Sequence, residues 1–161
     1  MSQTHAALST SVDRGLYFDD FAVGQAWISP ARTITEADIV NFAGISGDYN
    51  PLHTDEEFAK QTQFGGRLFH GPGVFAVATG LESRLGIKEG TAIAFLGMTW
   101  SLKGAVQIGD TIHVEEQVAE LRPSQSKPDR GIVVFDVQVK NQRGETCHDG
   151  QWLVMFSRRD T

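Results

Sequence analysis

The chain has 161 residues, 40% of them hydrophobic, which suits one domain with a substantial core. Its formal net charge of −6 at pH 7 argues against a general nucleic-acid binder, because neutralising phosphates needs a basic face. No apolar run approaches the roughly 18–20 residues that a membrane-spanning helix needs, so we expect no membrane segment.

The ends and the cysteine content predict location and domain limits. A single cysteine, Cys147, excludes an intramolecular disulfide, and the first residues have neither a basic head nor an apolar stretch. We therefore expect a protein of the reducing cytoplasm. Residues 1–15 are small, polar and aperiodic, which predicts a flexible tail ahead of one domain over 16–161.

Two helix starts precede and follow a short polar stretch. Thr35, with Asp38 three residues on, has the pattern of a capping box and predicts a helix to about residue 43, ended by Gly44 or Gly47. Thr54 and Glu57 repeat this pattern, so a short helix is expected from the next residue, 55.

The second half begins with an apolar helix and continues as strands. Pro72 in the first turn and Gly86 as a stop predict a helix to about Leu85, apolar enough to be buried on most sides. From Thr91 the apolar period changes to two, most plainly over 131–140. One helix followed by consecutive antiparallel strands predicts an α+β fold with a sheet curled around that helix.

The polar stretch GDYNPLH carries the first candidate site. Asp48 and His53 lie five residues apart, and Pro51 between them stiffens the loop and steers Asn50 toward an extended conformation. We expect His53 to lie just ahead of a helix, where the positive end of the helix dipole disfavours the imidazolium form. A neutral ring can accept a proton. Each residue alone also has an ordinary structural explanation, since Asp48 and Asn50 are turn formers and His53 suits a hydrophobic staple.

A second candidate lies in FHGPG. Gly71 precedes the buried helix, so its N–H is available to an external acceptor such as an anion developing on a carbonyl oxygen. His70 beside it is more typical of a packed histidine than of a catalyst. The histidines and acids of this region lack an HxxxH-type spacing, so no metal site is expected. The run CHD at Cys147 suggests no nucleophilic triad, because neighbours on a strand point to opposite faces.

These residues carry a resemblance to a known family. The stretch SGDYNPLHTDEEFAKQTQFGGRLFHGPGVFAVATGL closely resembles the hydratase motif of the MaoC-like and (R)-specific enoyl-CoA hydratases. The earlier stretches YFDDFAVGQAW and RTITEADIVNFAGISGD resemble the sequence that precedes this motif in the family. The match covers 17–81 well and continues more weakly through the glycine and aspartate of IGDTI. The D-x-N-P-x-H element followed by HG is the specific part.

The resemblance implies a fold, a substrate class and an assembly. It implies a hot-dog fold, in which a curved antiparallel sheet wraps a long central helix, with two subunits joining their sheets into a homodimer or a multiple of dimers. It also implies acyl-CoA thioester substrates, reversible hydration of trans-2-enoyl-CoA to (R)-3-hydroxyacyl-CoA, no cofactor and no metal.

The family's roles carry over residue by residue. The aspartate and histidine that activate water correspond to Asp48 and His53, and the glycine that donates its N–H to the thioester oxygen corresponds to Gly71. Asn50 matches the asparagine that supports the site, and Thr79 occupies a position of a small hydroxyl residue near the substrate. Pro72 departs from the family, where many relatives keep an N–H at this position.

Two other functions stay open from the sequence. A hot-dog thioesterase would use a carboxylate to direct water at the thioester carbonyl, and release of free CoA thiol would identify it. A non-catalytic acyl-CoA-binding module would bind without turnover. The sequence does not give the acyl chain length or the residues that hold the CoA phosphates.

Overall fold

The computed structural model describes residues 14–159. A 3₁₀ turn over Phe18–Asp20 precedes four helices and six strands. The helices are α1 (Glu36–Ser46), α2 (Pro51–Thr54), α3 (Glu56–Lys60) and α4 (Gly71–Ser83). The strands are β1 (Ala26–Ile28), β2 (Arg32–Thr33), β3 (Ala92–Leu102), β4 (Thr111–Pro123), β5 (Arg130–Lys140) and β6 (Thr146–Ser157).

One antiparallel sheet forms the body of the molecule, in the order β1-β4-β5-β6-β3, and β2 pairs with β4 beside it. The predicted alternation in β5 is confirmed, since its apolar side chains at alternate positions are buried while Asp136 and Gln138 are exposed. β5 and β6 form an antiparallel hairpin, and Gly144 at its turn has a φ of +77°. A left-handed turn of this kind suits glycine.

Helix α4 packs against the sheet through Val74, Ala78 and Leu81, which join a core that includes Trp27 and Phe135. This sheet and helix arrangement is the α+β hot-dog fold. The prediction that α4 is buried on most sides was too broad. Its opposite side is exposed and consists of small or turn-forming residues, Pro72, Ala76, Gly80 and Ser83.

The predicted limits of the helices need small corrections. Helix α1 is capped as expected, because the Thr35 N–H donates to the Asp38 carboxylate at 2.7 Å, and it ends at Gly47 with a φ of +73°. The cap of α3 is Asp55, not Thr54, and its carboxylate accepts from Phe58 N–H at 3.0 Å. Thr54 is instead the last residue of α2, a turn that the sequence reading missed.

The predicted tail lies mostly outside the described residues, which begin at Arg14. The segment that follows is attached to the loop after α4, since the N–H groups of Gly15 and Leu16 donate to the carbonyls of Gly86 and Ile87. Across residues 14–159, every helix is too short or too polar to cross a bilayer.

Candidate active site

The loop from Asp48 to His53 is held by its own hydrogen bonds. Asn50 caps α2 by accepting from Leu52 N–H at 3.0 Å, and its own N–H donates to Asp48 Oδ1 at 3.2 Å. Pro51 takes the first helical position, where a missing N–H costs nothing. Asn50 has a ψ of 133°, the extended conformation that Pro51 predicts. The contacts of Asn50 are therefore internal to the loop, and they fix the relation between Asp48 and His53.

His53 faces the Asp48 carboxylate across a short gap. Its Nδ1 lies 2.8 Å from the carbonyl oxygen of Leu68. Because a carbonyl only accepts, Nδ1 carries a proton, and in the neutral tautomer the free lone pair lies on Nε2. That Nε2 lies 3.9 Å from Asp48 Oδ2, with the histidine side chain 14% exposed and the aspartate 51%. The gap is too long for a direct hydrogen bond.

His53 precedes a helix, α3, as the sequence predicted, but the residues around it are themselves helical. It lies in the last turn of α2, a single helical turn that begins at Pro51. His53 therefore lies between the C-terminal end of α2 and the N-terminal end of α3, whose dipoles oppose each other at this ring. The hydrogen bond to Leu68 determines the tautomer instead.

His70 connects the loop to α4. It is fully buried, and its Nε2–H donates to the backbone carbonyl of Asp48 at 2.9 Å. Its ring stacks on that of His53, with centroids 3.8 Å apart and planes 28° apart. The sequence reading of His70 as a packed histidine bonded to backbone agrees with these contacts, and they give it a role in placing both Asp48 and His53.

Asp48, His53 and His70 also bring three possible metal-ligand atoms within 4.8 Å of one another. A nitrogen ligand binds its ion in the plane of the imidazole ring at about 2.0–2.1 Å. Two rings stacked with planes 28° apart do not direct both lone pairs at one point within that distance. The stacking therefore fits a metal ion poorly.

Gly71 is the first residue of α4, so its N–H has no partner within the helix. A Cβ at this position would collide with the side chain of Leu102 and would lie 4.0 Å from Cε1 of His148. An added Cβ would therefore displace the flexible end of Leu102, and the Gly71 backbone is next in the chain to His70. Pro72 follows it without an N–H of its own.

His148 is a neighbour of Gly71 that the sequence reading did not select. It is 2% exposed, and its Nδ1 accepts from Trp100 Nε1–H at 3.2 Å, so Nε2 carries the proton. Burial lowers the pKa of His148 to about 4, against a partial opposing effect of Asp149. The signal in the sequence was the histidine of CHD, but the strand pattern does not show what it faces.

Cys147 and Thr79 lie outside this group of side chains. Cys147 is buried, and burial raises the pKa of its thiol, which disfavours the nucleophilic thiolate. Thr79 lies two turns along α4 from Gly71, and its hydroxyl donates to the Ala76 carbonyl at 2.7 Å. It lines a cavity of about 350 Å³ against β3 and β6. The structure thus brings Asp48, His53 and His70 together and leaves Thr79 apart.

Known proteins resemble this chain over most of its length. The model of the MaoC-like domain matches residues 20–140. A 3-hydroxybutyryl-CoA dehydratase of Methylorubrum extorquens is 38% identical over 115 residues, 71% of this chain and 71% of that protein. An (R)-specific enoyl-CoA hydratase of Rhodospirillum rubrum is 36% identical over 144 residues, 89% of this chain and 93% of that protein.

A solved structure agrees with these relatives. The MaoC-like dehydratase from Rhodospirillum rubrum superposes with a TM-score of 0.83 at 34% identity, covering 91% of this chain and 100% of that one. A family match over more than half of the chain, together with relatives above a third identical, leads to one conclusion. The chain belongs to the MaoC-like dehydratase family.

Proposed function

We propose that this protein catalyses the reversible hydration of trans-2-enoyl-CoA thioesters to (R)-3-hydroxyacyl-CoA, with Asp48 and His53 acting together on one water molecule. The observation that carries this proposal is the 3.9 Å approach of His53 Nε2 to the partly exposed Asp48 Oδ2, with His53 Nδ1 bonded to the Leu68 carbonyl. One water bonded to both atoms fits such a gap. The names of the two relatives, a dehydratase and a hydratase, support the same reaction class.

In the hydration direction, the water oxygen forms a bond to C3 of the enoyl group while the water loses a proton to the dyad. The electron pair of the double bond moves toward C2 and the thioester oxygen. The dyad then delivers a proton to C2, so that one water is added and the dyad returns to its starting state. The two groups exchange protons as a pair, and the acid and base roles belong to the pair.

Gly71 supplies the remaining element of this mechanism. Its N–H donates to the thioester oxygen as negative charge develops there, and the absence of a side chain lets the substrate approach the backbone. Because Pro72 provides no second donor from α4, loss of this one N–H is expected to be costly, about 10²–10³-fold in comparable sites. Asn50 supports the dyad from the loop, as its contacts indicate.

Hydration of crotonyl-CoA, followed as loss of the conjugated chromophore, tests the proposal. We expect Asp48→Asn and His53→Gln to lower kcat/KM by about 10²–10⁴-fold, the usual contribution of general acid–base groups. Asp136→Asn on the exposed side of β5 and His113→Gln on β4 are matched controls that should keep wild-type rates. If the folded Asp48 and His53 variants hydrate crotonyl-CoA as fast as wild type, these two residues do not have the proposed catalytic roles.

The same assay separates the alternatives. Release of free CoA thiol would identify a thioesterase, and binding of crotonyl-CoA without turnover would identify an acyl-CoA-binding module. Chiral analysis of the product checks the predicted (R) configuration. A cytoplasmic location stays a prediction from the sequence.

We also propose that two copies pair through β3. Among residues 14–159 this strand pairs only with β6, so within that range its other side is a free edge. Exposed apolar side chains line it, between 43% and 62% exposed, at Ile93, Phe95, Leu96, Met98 and Leu102. Such an edge suits antiparallel pairing with the same strand of a second copy about a two-fold axis. Leu102 at its end contacts Gly71, so the pairing would lie beside the proposed site.

A further inference from the structure

His148, on β6, carries an N–H that forms no hydrogen bond with the described part of the chain. Its Nδ1 accepts from Trp100 Nε1–H at 3.2 Å, and an indole nitrogen only donates, so the neutral ring holds its proton on Nε2. Within residues 14–159 the Trp100 contact is the one hydrogen bond of this side chain. Because His148 is 2% exposed, its Nε2–H is a donor that calls for a partner.

The Nε2 atom of His148 is nevertheless open to solvent. Some buried polar atoms among residues 14–159 are both closed to solvent and without a hydrogen bond: His70 Nδ1, Glu82 Oε1, Thr91 Oγ1, Glu116 Oε2 and Trp152 Nε1. His148 Nε2 is not one of these atoms, although it too lacks a partner in that part of the chain. It therefore keeps some accessible surface, where a group from outside the chain can contact it.

The His148 ring lies beside Gly71, the proposed donor to the thioester oxygen. Its Cε1 is 4.0 Å from the position that a Gly71 Cβ would take. Nε2 is bonded to Cε1 and so lies within about 5.3 Å of that position, and the Gly71 nitrogen lies about 2.5 Å from it. Both donors therefore border the space beside the Gly71 α-carbon. Two N–H groups that share one acceptor oxygen stand up to about 6 Å apart.

An exposed and flexible side chain covers this space. Leu102 is the partner of His148 in the pairing of β3 with β6, and it also meets the Gly71 Cβ position. Directly opposed residues of two strands have their side chains on the same face, so Leu102 and His148 border Gly71 together. Leu102 is 62% exposed. A thioester that approaches Gly71 can therefore displace it.

Helix α4 supplies a single donor at this point. Gly71 is its first residue, and Pro72, which follows, has no N–H. Oxyanion holes combine backbone N–H groups with side-chain donors, histidine among them. His148 offers from β6 the second N–H that α4 lacks here.

We propose that His148 is a second catalytic donor, whose Nε2–H bonds the thioester oxygen together with the Gly71 N–H. This inference rests on the proposed hydration at Asp48 and His53. The proton stays on Nε2 throughout, and no covalent bond to His148 forms. The hydrogen bond stabilises the negative charge that develops on the thioester oxygen while water attacks C3.

The surroundings of His148 suit a neutral donor. Burial lowers its pKa to about 4, so the ring is uncharged at neutral pH. A neutral imidazole can polarise a carbonyl, and it avoids the cost of a buried positive charge in the free enzyme. The bond from Trp100 fixes the tautomer, so the donor is in place before the substrate binds.

Kinetics of crotonyl-CoA hydration test this role. His148→Leu removes the donor, and we expect kcat to fall by about 10²-fold with KM changed much less, because the bond strengthens in the transition state. Trp100→Phe breaks the same bond between Trp100 and His148 but keeps the imidazole, so it should retain most of the wild-type kcat. His113→Leu removes a histidine from β4 and should leave kcat unchanged.

A ligand that does not react gives a second measurement. The infrared band of the thioester carbonyl in butyryl-CoA, labelled with ¹³C at C1, moves to lower frequency as donors polarise the bond. We expect a smaller shift on binding to His148→Leu than to wild type or Trp100→Phe. His148→Phe, which keeps an aromatic ring, makes the same comparison if the leucine variant does not fold.

The two measurements separate this inference from the proposed reaction. If crotonyl-CoA is hydrated and the folded His148 variants keep the wild-type kcat, or change only KM, His148 is not a catalytic donor and the proposed reaction stands. Equal losses of kcat in Trp100→Phe and His148→Leu would assign the effect to the indole contact instead. If crotonyl-CoA is not hydrated, the proposed reaction fails, and a carbonyl band that is the same in wild type and the His148 variants would overturn this inference as well.

Discussion

At the scale of single residues, the imidazole of His70 holds together groups that are far apart in the chain. It donates to the carbonyl of Asp48, 22 residues earlier, and stacks on His53. Its hydrogen bond goes to the Asp48 backbone and not to the Asp48 carboxylate, so we regard it as a positioning residue. Its contribution to catalysis should appear as a change in turnover without a matching change in substrate binding.

The variant His70→Phe tests this role, because it keeps a ring for stacking and removes the N–H that holds the Asp48 carbonyl. We expect kcat for crotonyl-CoA to fall by up to about 10²-fold, as misplacement of about 1 Å can do, with KM changed much less. His70→Gln, which keeps a donor, should recover part of the rate. A purely structural residue would lower the melting temperature and leave kcat of the folded fraction unchanged.

Variants of Gly71 can separate a clash with Leu102 from a clash with the substrate. An added Cβ would meet the flexible end of Leu102, which is 62% exposed and able to move. We expect Gly71→Ala to fold but to lose most activity, because the methyl group also obstructs the approach of the thioester to the backbone. The double variant with Leu102→Ala removes only the first clash. Full recovery of activity in the double variant would show that the substrate does not approach Gly71.

Chemical identity was easier to predict from the sequence than local geometry. The D-x-N-P-x-H spacing singled out Asp48 and His53, and the structure places their side chains face to face. The sequence did not show that His53 ends a helical turn, since Pro51 and Asn50 begin α2 only by combining a cap with a fixed φ. Nor did it show His148, whose position depends on contacts between distant segments.

At the scale of elements, β6 places a neutral histidine inside the sheet and so affects stability. The pKa of His148 is lowered to about 4 in the folded protein, from an ordinary value of 6.5. Between these values the unfolded chain binds a proton that the folded chain does not, so stability falls as pH falls through this window. Each pH unit there contributes up to about 1.4 kcal/mol.

Urea denaturation between about pH 7.5 and about pH 5 measures this effect. We expect wild type to lose more unfolding free energy on acidification than His148→Gln, whose carbonyl can still accept from Trp100 Nε1–H. His113→Gln on β4 controls for the loss of a histidine elsewhere in the sheet. Parallel pH curves for wild type and His148→Gln would contradict the assignment of the acid sensitivity to β6.

The strands were predicted better than the short helices because their patterns last longer. Eleven residues of β5 repeat the alternation that marks a half-buried strand. Helices α2 and α3 have four and five residues, too few for a periodic pattern, so their limits depend on single capping side chains such as Asp55. The apolar content of α4 was clear from the sequence. Its exposed side consists of small residues, and hydrophobicity alone does not distinguish such a side from a buried one.

At the scale of the whole molecule, the free edge of β3 predicts the assembly. We expect Leu96→Lys combined with Met98→Lys to convert a dimer or larger assembly to a monomer, because opposed charges of one sign prevent edge pairing. Sizing chromatography with light scattering is the measurement. Val23→Lys, at a residue 65% exposed and distant in sequence from β3, is the control. A wild-type protein that is monomeric at all concentrations would refute pairing through β3.

The contacts of His53 and His70 have a last consequence for the continuity of the chain. The Leu68 carbonyl and the Asp48 carbonyl accept from these two rings, so both ends of the intervening segment are tied to each other inside the fold. The tip of that segment, 63–65, is exposed and carries none of these bonds. Limited proteolysis at Phe64 should therefore yield two fragments that stay associated and keep their catalytic rate, as exposed loop tips allow.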